Sequence, residues 1–293
     1  MSAAARPVPS VASRELMRST LASFETSVSS VSDAFGLVRL DTPEMPRYVM
    51  TLDALRDHSA ARPRPELPAL CDLGGYFGIL AAAAGELGYS VAVVDSYEGL
   101  TADPRTHDDL HGWWKARSIA TYDCDLQDPD LRLPFADASF DAITLLAVIE
   151  HFPHTPRLVL EEARRVLRPD GLLIVDTPNA GALGTRVGFL LHGEGLWEPI
   201  DRFYYGPIPF AGHSRCYSRR ELRSILTWSG FTVDEFRLFD LHPPTGSSAL
   251  GRLFYGVLCR SVLRRRDDLR GYLWAVARPT REPGVLSEGA RET

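Results

Sequence analysis

Asp72, the glycines Gly74, Gly75 and Gly78, and Asp95 are the residues whose types and spacing first point to chemistry. Glycines let the backbone turn tightly and approach a ligand where a Cβ would collide. A helix opening just behind such a turn presents unpaired N–H groups and the positive end of its dipole. A carboxylate roughly 20 residues beyond Asp72, at the tip of the next strand, can accept both hydroxyls of a ribose. These are the parts of a nucleotide-like ligand site. The competing reading is a buried strand and a glycine-rich turn that hold nothing, because the G-x-G-x-x-G spacing is absent.

A second set of residues could handle protons. His213 and His151, the latter preceded by Glu150, are histidines suited to acid–base work near neutral pH. His213 is the first candidate base and His151 the second; either could instead be a satisfied structural residue. His107 and His111 have the i, i+4 spacing that can hold zinc on a helix, but an Asp stands where the general-base Glu is expected and no third ligand is evident. That pair reads as a solvated helix face, and no metal is expected.

These groups need elements to position them. The apolar run ending in Cys71 and Asp72 predicts a strand, Ile79 to Leu87 with its four alanines a helix closed by Gly88, and Val91 to Val94 a second strand ending in Asp95. This is a βαβ unit. Ser118 to Tyr122, Ala142 to Ile149 and Leu172 to Asp176 read as further strands, and Thr155-Pro156 as the start of a helix running to Leu167. Such alternation demands a parallel α/β sheet. Ser218 to Glu221 is a capping box opening a helix to Trp228, followed by strands at Phe231 to Phe239 and Gly271 to Ala277.

The first motif, Asp72-Leu73-Gly74-x-x-x-Gly78, resembles that of class I S-adenosylmethionine-dependent methyltransferases, with Tyr76 standing where a middle glycine is usual. The run D-L…L-P-F-x-D-x-S-F-D…E-H-F…R-x-L-x-P-D-G between Asp125 and Gly171 is similar to methyltransferases of the ubiquinone-biosynthesis type. His213-x-x-x-Tyr217-Ser218-x-x-Glu221-Leu222 with Gly230-Phe231 resembles methyltransferases acting on sugars or secondary metabolites. The resemblance implies a Rossmann-like, seven-stranded, mostly parallel sheet with helices on both faces, an N-terminal helical cap and an insert after the fifth strand. It also implies S-adenosylmethionine as cofactor, held by Asp72, Gly74, Gly75, Tyr76, Gly78, Asp95, Ser96 and Tyr97. Asp125 is expected on the adenine amino group, Leu126 on its face, and Leu145 and Leu146 along the methionine portion.

The expected organisation is a disordered tail at 1–12, a helical cap at 13–65, a cofactor-binding domain at 66–280 and a polar tail at 281–293. Within the domain, 180–217 breaks the alternation and carries Trp197, Phe203, Tyr204, Tyr205 and His213, the expected substrate residues. Such an insert is either a lid and substrate pocket or a packed hydrophobic face. Residues 247–266 read as a basic amphipathic helix that covers its own domain or touches a membrane surface.

Hydrophobic content of 45%, charged content of 24% and a net charge of −6 describe an ordinary globular chain and argue against a general nucleic-acid binder. Cysteines without a C-x-x-C pair, and no apolar run long enough to span a bilayer, lead to a soluble cytoplasmic protein, a monomer or homodimer. The expected function is transfer of a methyl group to a small molecule, at a hydroxyl of a sugar or secondary metabolite. The alternatives are N- or C-methylation of a similar molecule, a nicotinamide-dependent oxidoreductase, and a non-catalytic cofactor-binding protein.

Overall fold

The computed structural model describes residues 10–28, 45–97, 103–193, 198–207, 210, 212–240 and 266–280. In chain order these form α1 (Val11–Ser27), α2 (Met45–Ala61), β1 (Ala69–Leu73), α3 (Ile79–Glu86), β2 (Ser90–Asp95), α4 (Pro104–Ala116) and β3 (Ala120–Asp123). Then come β4 (Phe140–Leu146), a 3-10 turn (Ile149–His151), α5 (Arg157–Val166), β5 (Leu167–Pro178), α6 (Leu183–His192) and α7 (Ile200–Tyr204). The chain closes with α8 (Arg219–Trp228), β6 (Phe231–Phe239), a second 3-10 turn (Asp267–Leu269) and β7 (Tyr272–Pro279).

The strands form one seven-stranded sheet in the order β3-β2-β1-β4-β5-β7-β6. Six run in one direction, and β7 alone among the described strands runs antiparallel, paired with both β5 and β6. Successive side chains of a strand point to opposite faces, so a sheet covered on both sides needs strands that are apolar throughout. Leu70, Val91, Val93, Ala142 and Ile174 therefore join one core with α1 to α4. Cys71, Leu73, Val94, Ile143, Leu145 and Val175 join a second core with α5 and α8. This is the layered architecture that the sequence predicts. Alanines 81 to 84 of α3 are fully or almost fully buried, and their small side chains let α3 lie close to both sheet and α1.

Helix α1 is fastened by Asp53 of α2, which accepts the Ser10 N–H at 2.9 Å, the Ser10 hydroxyl at 2.6 Å and the Ser13 hydroxyl at 2.7 Å. Its Phe24 packs edge-on against Trp113 of α4, 5.0 Å between ring centres. The expected helix from Ser13 to Phe35 thus ends at Ser27; residues 29–44 lie outside the described residues, as do those at 247–265 that the sequence reads as amphipathic. Among the described residues no helix is long and apolar enough to cross a membrane.

Several boundaries differ from expectation for local reasons. Strand β4 covers Phe140–Leu146 rather than Ala142 to Ile149, because Ala147 turns into the left-handed region at φ +56° and a 3-10 turn follows. Strand β5 begins at Leu167 rather than Leu172, because Leu167 already pairs with Phe140 and a bulge follows before Ala142 meets Leu172. Gly171 is required there: a Cβ would stand 2.6 Å from Leu167 Cδ1 and 2.9 Å from the Arg168 carbonyl oxygen. Helix α5 starts at Arg157, with Pro156 as its cap residue.

Candidate active site

The strand order reverses direction between β1 and β4, and the crevice outside such a switch point is where open α/β sheets take ligands. A cleft of about 420 Å³ lies there. Its walls come from the carboxyl ends of the strands: Gly74 to Phe77 after β1, Asp95 and Ser96 at the end of β2, Asp125 to Gln127 after β3, and Leu146 to Val148 at the end of β4. His151 and Phe152 close one side, and Arg47 and Tyr48 of α2 enter from the N-terminal segment.

The glycine turn is shaped by its neighbours. Gly74 has φ +73°, and a Cβ there would lie 2.4 Å from Val148 Cγ2. A Cβ on Gly75 would lie 2.6 Å from Asp72 Oδ2 and 2.8 Å from Val93 Cγ1. Gly78 (φ +73°) caps α3 with no side-chain cap bond. Tyr76 adopts φ +52°, the left-handed conformation that glycine takes readily and other residues seldom do. Its ring lies against Phe77, with ring centres 3.9 Å apart.

That backbone path delivers the Tyr76 N–H to Asp95 Oδ2 at 2.7 Å, and the Ser96 N–H reaches Asp95 Oδ1 at 2.8 Å. Both carboxylate oxygens are oriented this way, and each retains capacity to accept another donor. Burial, reinforced by Asp123, raises the Asp95 carboxyl above the usual carboxylate range against the pull of those two N–H bonds. Beneath the turn, Asp72 is buried and accepts the Thr144 hydroxyl at 2.6 Å. Burial, with Asp95 adding to it, pushes Asp72 up to about 7.

Asp125 lines the cleft and its Oδ1 accepts the Gln127 N–H at 2.9 Å, so the residue also braces its own turn. Leu126 and Leu146 line the cleft. Leu145 does not: strand alternation sends it to the opposite face, where it is fully buried in the second core. Tyr97 is also absent from the cleft wall. It sits in the first core with its ring 5.0 Å from that of Trp114, whose indole N–H donates to the Phe77 carbonyl at 3.0 Å and so holds the glycine turn from below.

At the other end, His213 is half-buried and its ring meets that of His151 edge-on, 4.8 Å between centres. Burial first, and then the proximity of His151, hold His213 below the ordinary histidine value. Glu150 is fully buried, and burial pushes it up to about 7.

The expected substrate aromatics are not brought to this cleft. Phe203, Tyr204 and Tyr205 are exposed at 57%, 76% and 83%, because α7 is a single short helix with no buried residue of its own. Trp197 lies outside the described residues. Conversely, Arg47, Tyr48, Gln127, Val148 and Phe152 line the cleft without having been foreseen. Val148 and Gln127 are neighbours of predicted residues; Arg47 and Tyr48 carry no local signal, since only the packing of α2 places them there.

Residues 47–235 match the protein family described as a methyltransferase domain. Over 99 residues the chain is 38% identical to a probable S-adenosylmethionine-dependent methyltransferase of Mycobacterium tuberculosis, covering 34% of this chain and 29% of that one. It is 27% identical over 139 residues to a ubiquinone biosynthesis O-methyltransferase of Xanthomonas campestris, covering 47% of this chain and 54% of that one. The matches thus span between 29% and 54% of these curated relatives. A solved structure of Burkholderia thailandensis 1,6-didemethyltoxoflavin-N1-methyltransferase with bound 1,6-didemethyltoxoflavin and S-adenosylhomocysteine is 18% identical, with a TM-score of 0.47 over 95% of this chain and 93% of that one.

Proposed function

The chain belongs to the methyltransferase-domain family, and we propose that it moves a methyl group from S-adenosylmethionine to a hydroxyl of a small molecule, a sugar or a secondary metabolite. The observation that carries the reading is the Asp95 carboxylate, oriented by the N–H groups of Tyr76 and Ser96 beside a turn where a Cβ on Gly74 or Gly75 would collide. That arrangement suits a ribose. At the start of the next strand-end loop, the Asp125 carboxylate can accept from an adenine amino group, and Leu126 beside it suits the ring.

When bound, the cofactor supplies a methyl group on a sulfonium. This chain's own residues must then align the acceptor, exclude water and remove its proton. Leu146, Val148 and Phe152 give the methionine end an apolar wall, and Arg47 brings a cation to the same cleft. His151 lines the cleft and His213 packs against it, and either imidazole is a candidate to take the acceptor proton. His213, which burial and then His151 hold below the ordinary histidine value, is the stronger candidate.

The test is incubation of the full chain with methyl-labelled S-adenosylmethionine and a panel of small hydroxyl compounds. Label is expected on an oxygen of one class of acceptor; label found only on nitrogen or carbon contradicts the hydroxyl assignment. Replacing His213 with Ala should lower turnover at least about 100-fold, the usual scale of a lost general base, with cofactor affinity nearly unchanged. Unaltered turnover removes His213 from the mechanism.

A further inference from the structure

A cluster beside the cleft is left unused by the cofactor. The turn after β4 presents Glu150 and His151, and the Glu150 carbonyl accepts the N–H groups of Ser214 at 2.7 Å and Arg215 at 3.2 Å. Those bonds pin the loop that carries His213. One carboxylate oxygen of Glu150 and one ring nitrogen of each histidine consequently lie within 4.8 Å of one another. Glu150 is fully buried; its Oε2 accepts the Thr177 hydroxyl at 3.0 Å, whereas Oε1 has no hydrogen-bond partner. Leaving a buried acceptor unsatisfied is costly, more so for a charged group. Such an atom calls for an occupant.

Two imidazoles and one carboxylate make the donor set of catalytic zinc sites, which keep a fourth position open for water or substrate. We propose that Glu150, His151 and His213 hold a divalent transition-metal ion of the zinc class, with its open position toward the cleft that His151 lines. Bonds of about 2.1 Å set tetrahedral ligand atoms about 3.4 Å apart, so the widest separation must close by about 1.4 Å, a small side-chain adjustment. Two nitrogen donors out of three favour zinc-like ions over magnesium or calcium. The Arg47 guanidinium pairs with Asp176 at 3.0 Å and its charge also favours the carboxylate form of Glu150, the form that a metal ion takes. With both imidazoles held by the metal, a hydroxyl or water in the fourth position would be acidified by the ion in place of His213 acting as a free base.

Chelator-treated full-length chain titrated with Co²⁺, a spectroscopic stand-in for zinc, tests this. One equivalent should bind, with visible d–d bands that Zn²⁺ abolishes. His213→Ala should weaken Co²⁺ binding at least about tenfold, as should Glu150→Gln, each variant checked by circular dichroism. If Glu150→Gln does not fold, the half-buried His213→Ala decides alone. The exposed pair His107 and His111, with rings 4.2 Å apart, is the internal control: the double variant His107→Ala/His111→Ala should keep the bands. No Co²⁺ binding, or binding lost in that double variant and kept in His213→Ala, overturns the proposal. S-adenosylmethionine binding is measured in parallel. A chain that binds it without Co²⁺ loses only the metal site, and one that binds Co²⁺ alone supports the metal site while contradicting the methyltransferase reading.

Discussion

Asp72 has a pH signature of its own. Its carboxyl is raised to about 7 by burial, so the folded state binds a proton that the unfolded chain releases near its ordinary pKa of about 3.9. Stability from that proton is fully present below the unfolded value and is lost as pH rises toward 7, on the order of 4 kcal/mol in all. The melting temperature should therefore fall between pH 5 and pH 7.5 and level off above. Asp72→Asn, which can still accept the Thr144 hydroxyl, should flatten that fall; parallel curves for the two proteins would contradict the assignment. At Gly75 the outcome is steric. Gly75→Ala puts a methyl against Asp72 and Val93, where overpacking costs about 1–3 kcal/mol. Lower stability in urea titration and at least about tenfold weaker cofactor binding should appear together, and a fully stable Ala variant would mean the turn is looser than described.

Among the elements, α8 and α2 make separate demands. The Ser218 hydroxyl accepts the Glu221 N–H at 3.3 Å and the Glu221 carboxylate accepts the Ser218 N–H at 2.8 Å, a complete capping box. Ser218→Ala should cost about 1 kcal/mol in denaturant unfolding, leaving cofactor affinity unchanged because α8 packs on the face away from α2 and α3. Arg47 is the stricter case. It leaves α2 to pair with the fully buried Asp176, whose Oδ1 also accepts the Ala147 N–H at 2.8 Å in the cleft wall. Removing one partner of a buried ion pair leaves the other charge uncompensated, at about 3–5 kcal/mol. Arg47→Ala should thus lose stability and cofactor affinity together, whereas a variant losing affinity alone would make Arg47 a ligand contact with no structural part.

At the scale of the whole molecule, the alternation of strands and helices was readable because each parallel strand is a short apolar run bounded by turn residues, and the capping box and glycine turn are local signals. Gly74, Gly75, Asp95, Asp125 and His151 could be placed near the cleft from their positions after strands. What could not be read depended on contacts distant in sequence. A strand buried on both faces does not reveal which of Leu145 and Leu146 turns toward a ligand. Tyr97 looked available for stacking until Trp114, on the following helix, is seen to take its ring. Aromatic content in the insert did not show that α7 leaves Phe203 and Tyr204 in solvent, and nothing local in α2 marks Arg47 as part of the cleft. Equilibrium binding of S-adenosylmethionine against NAD, by calorimetry on the wild-type chain and on Asp95→Ala, tests the central claim most directly. One equivalent of S-adenosylmethionine should bind, with no competition from NAD, and Asp95→Ala should weaken it about 10- to 100-fold, the worth of hydrogen bonds to a charged group. Tight binding of NAD with none of S-adenosylmethionine would contradict it.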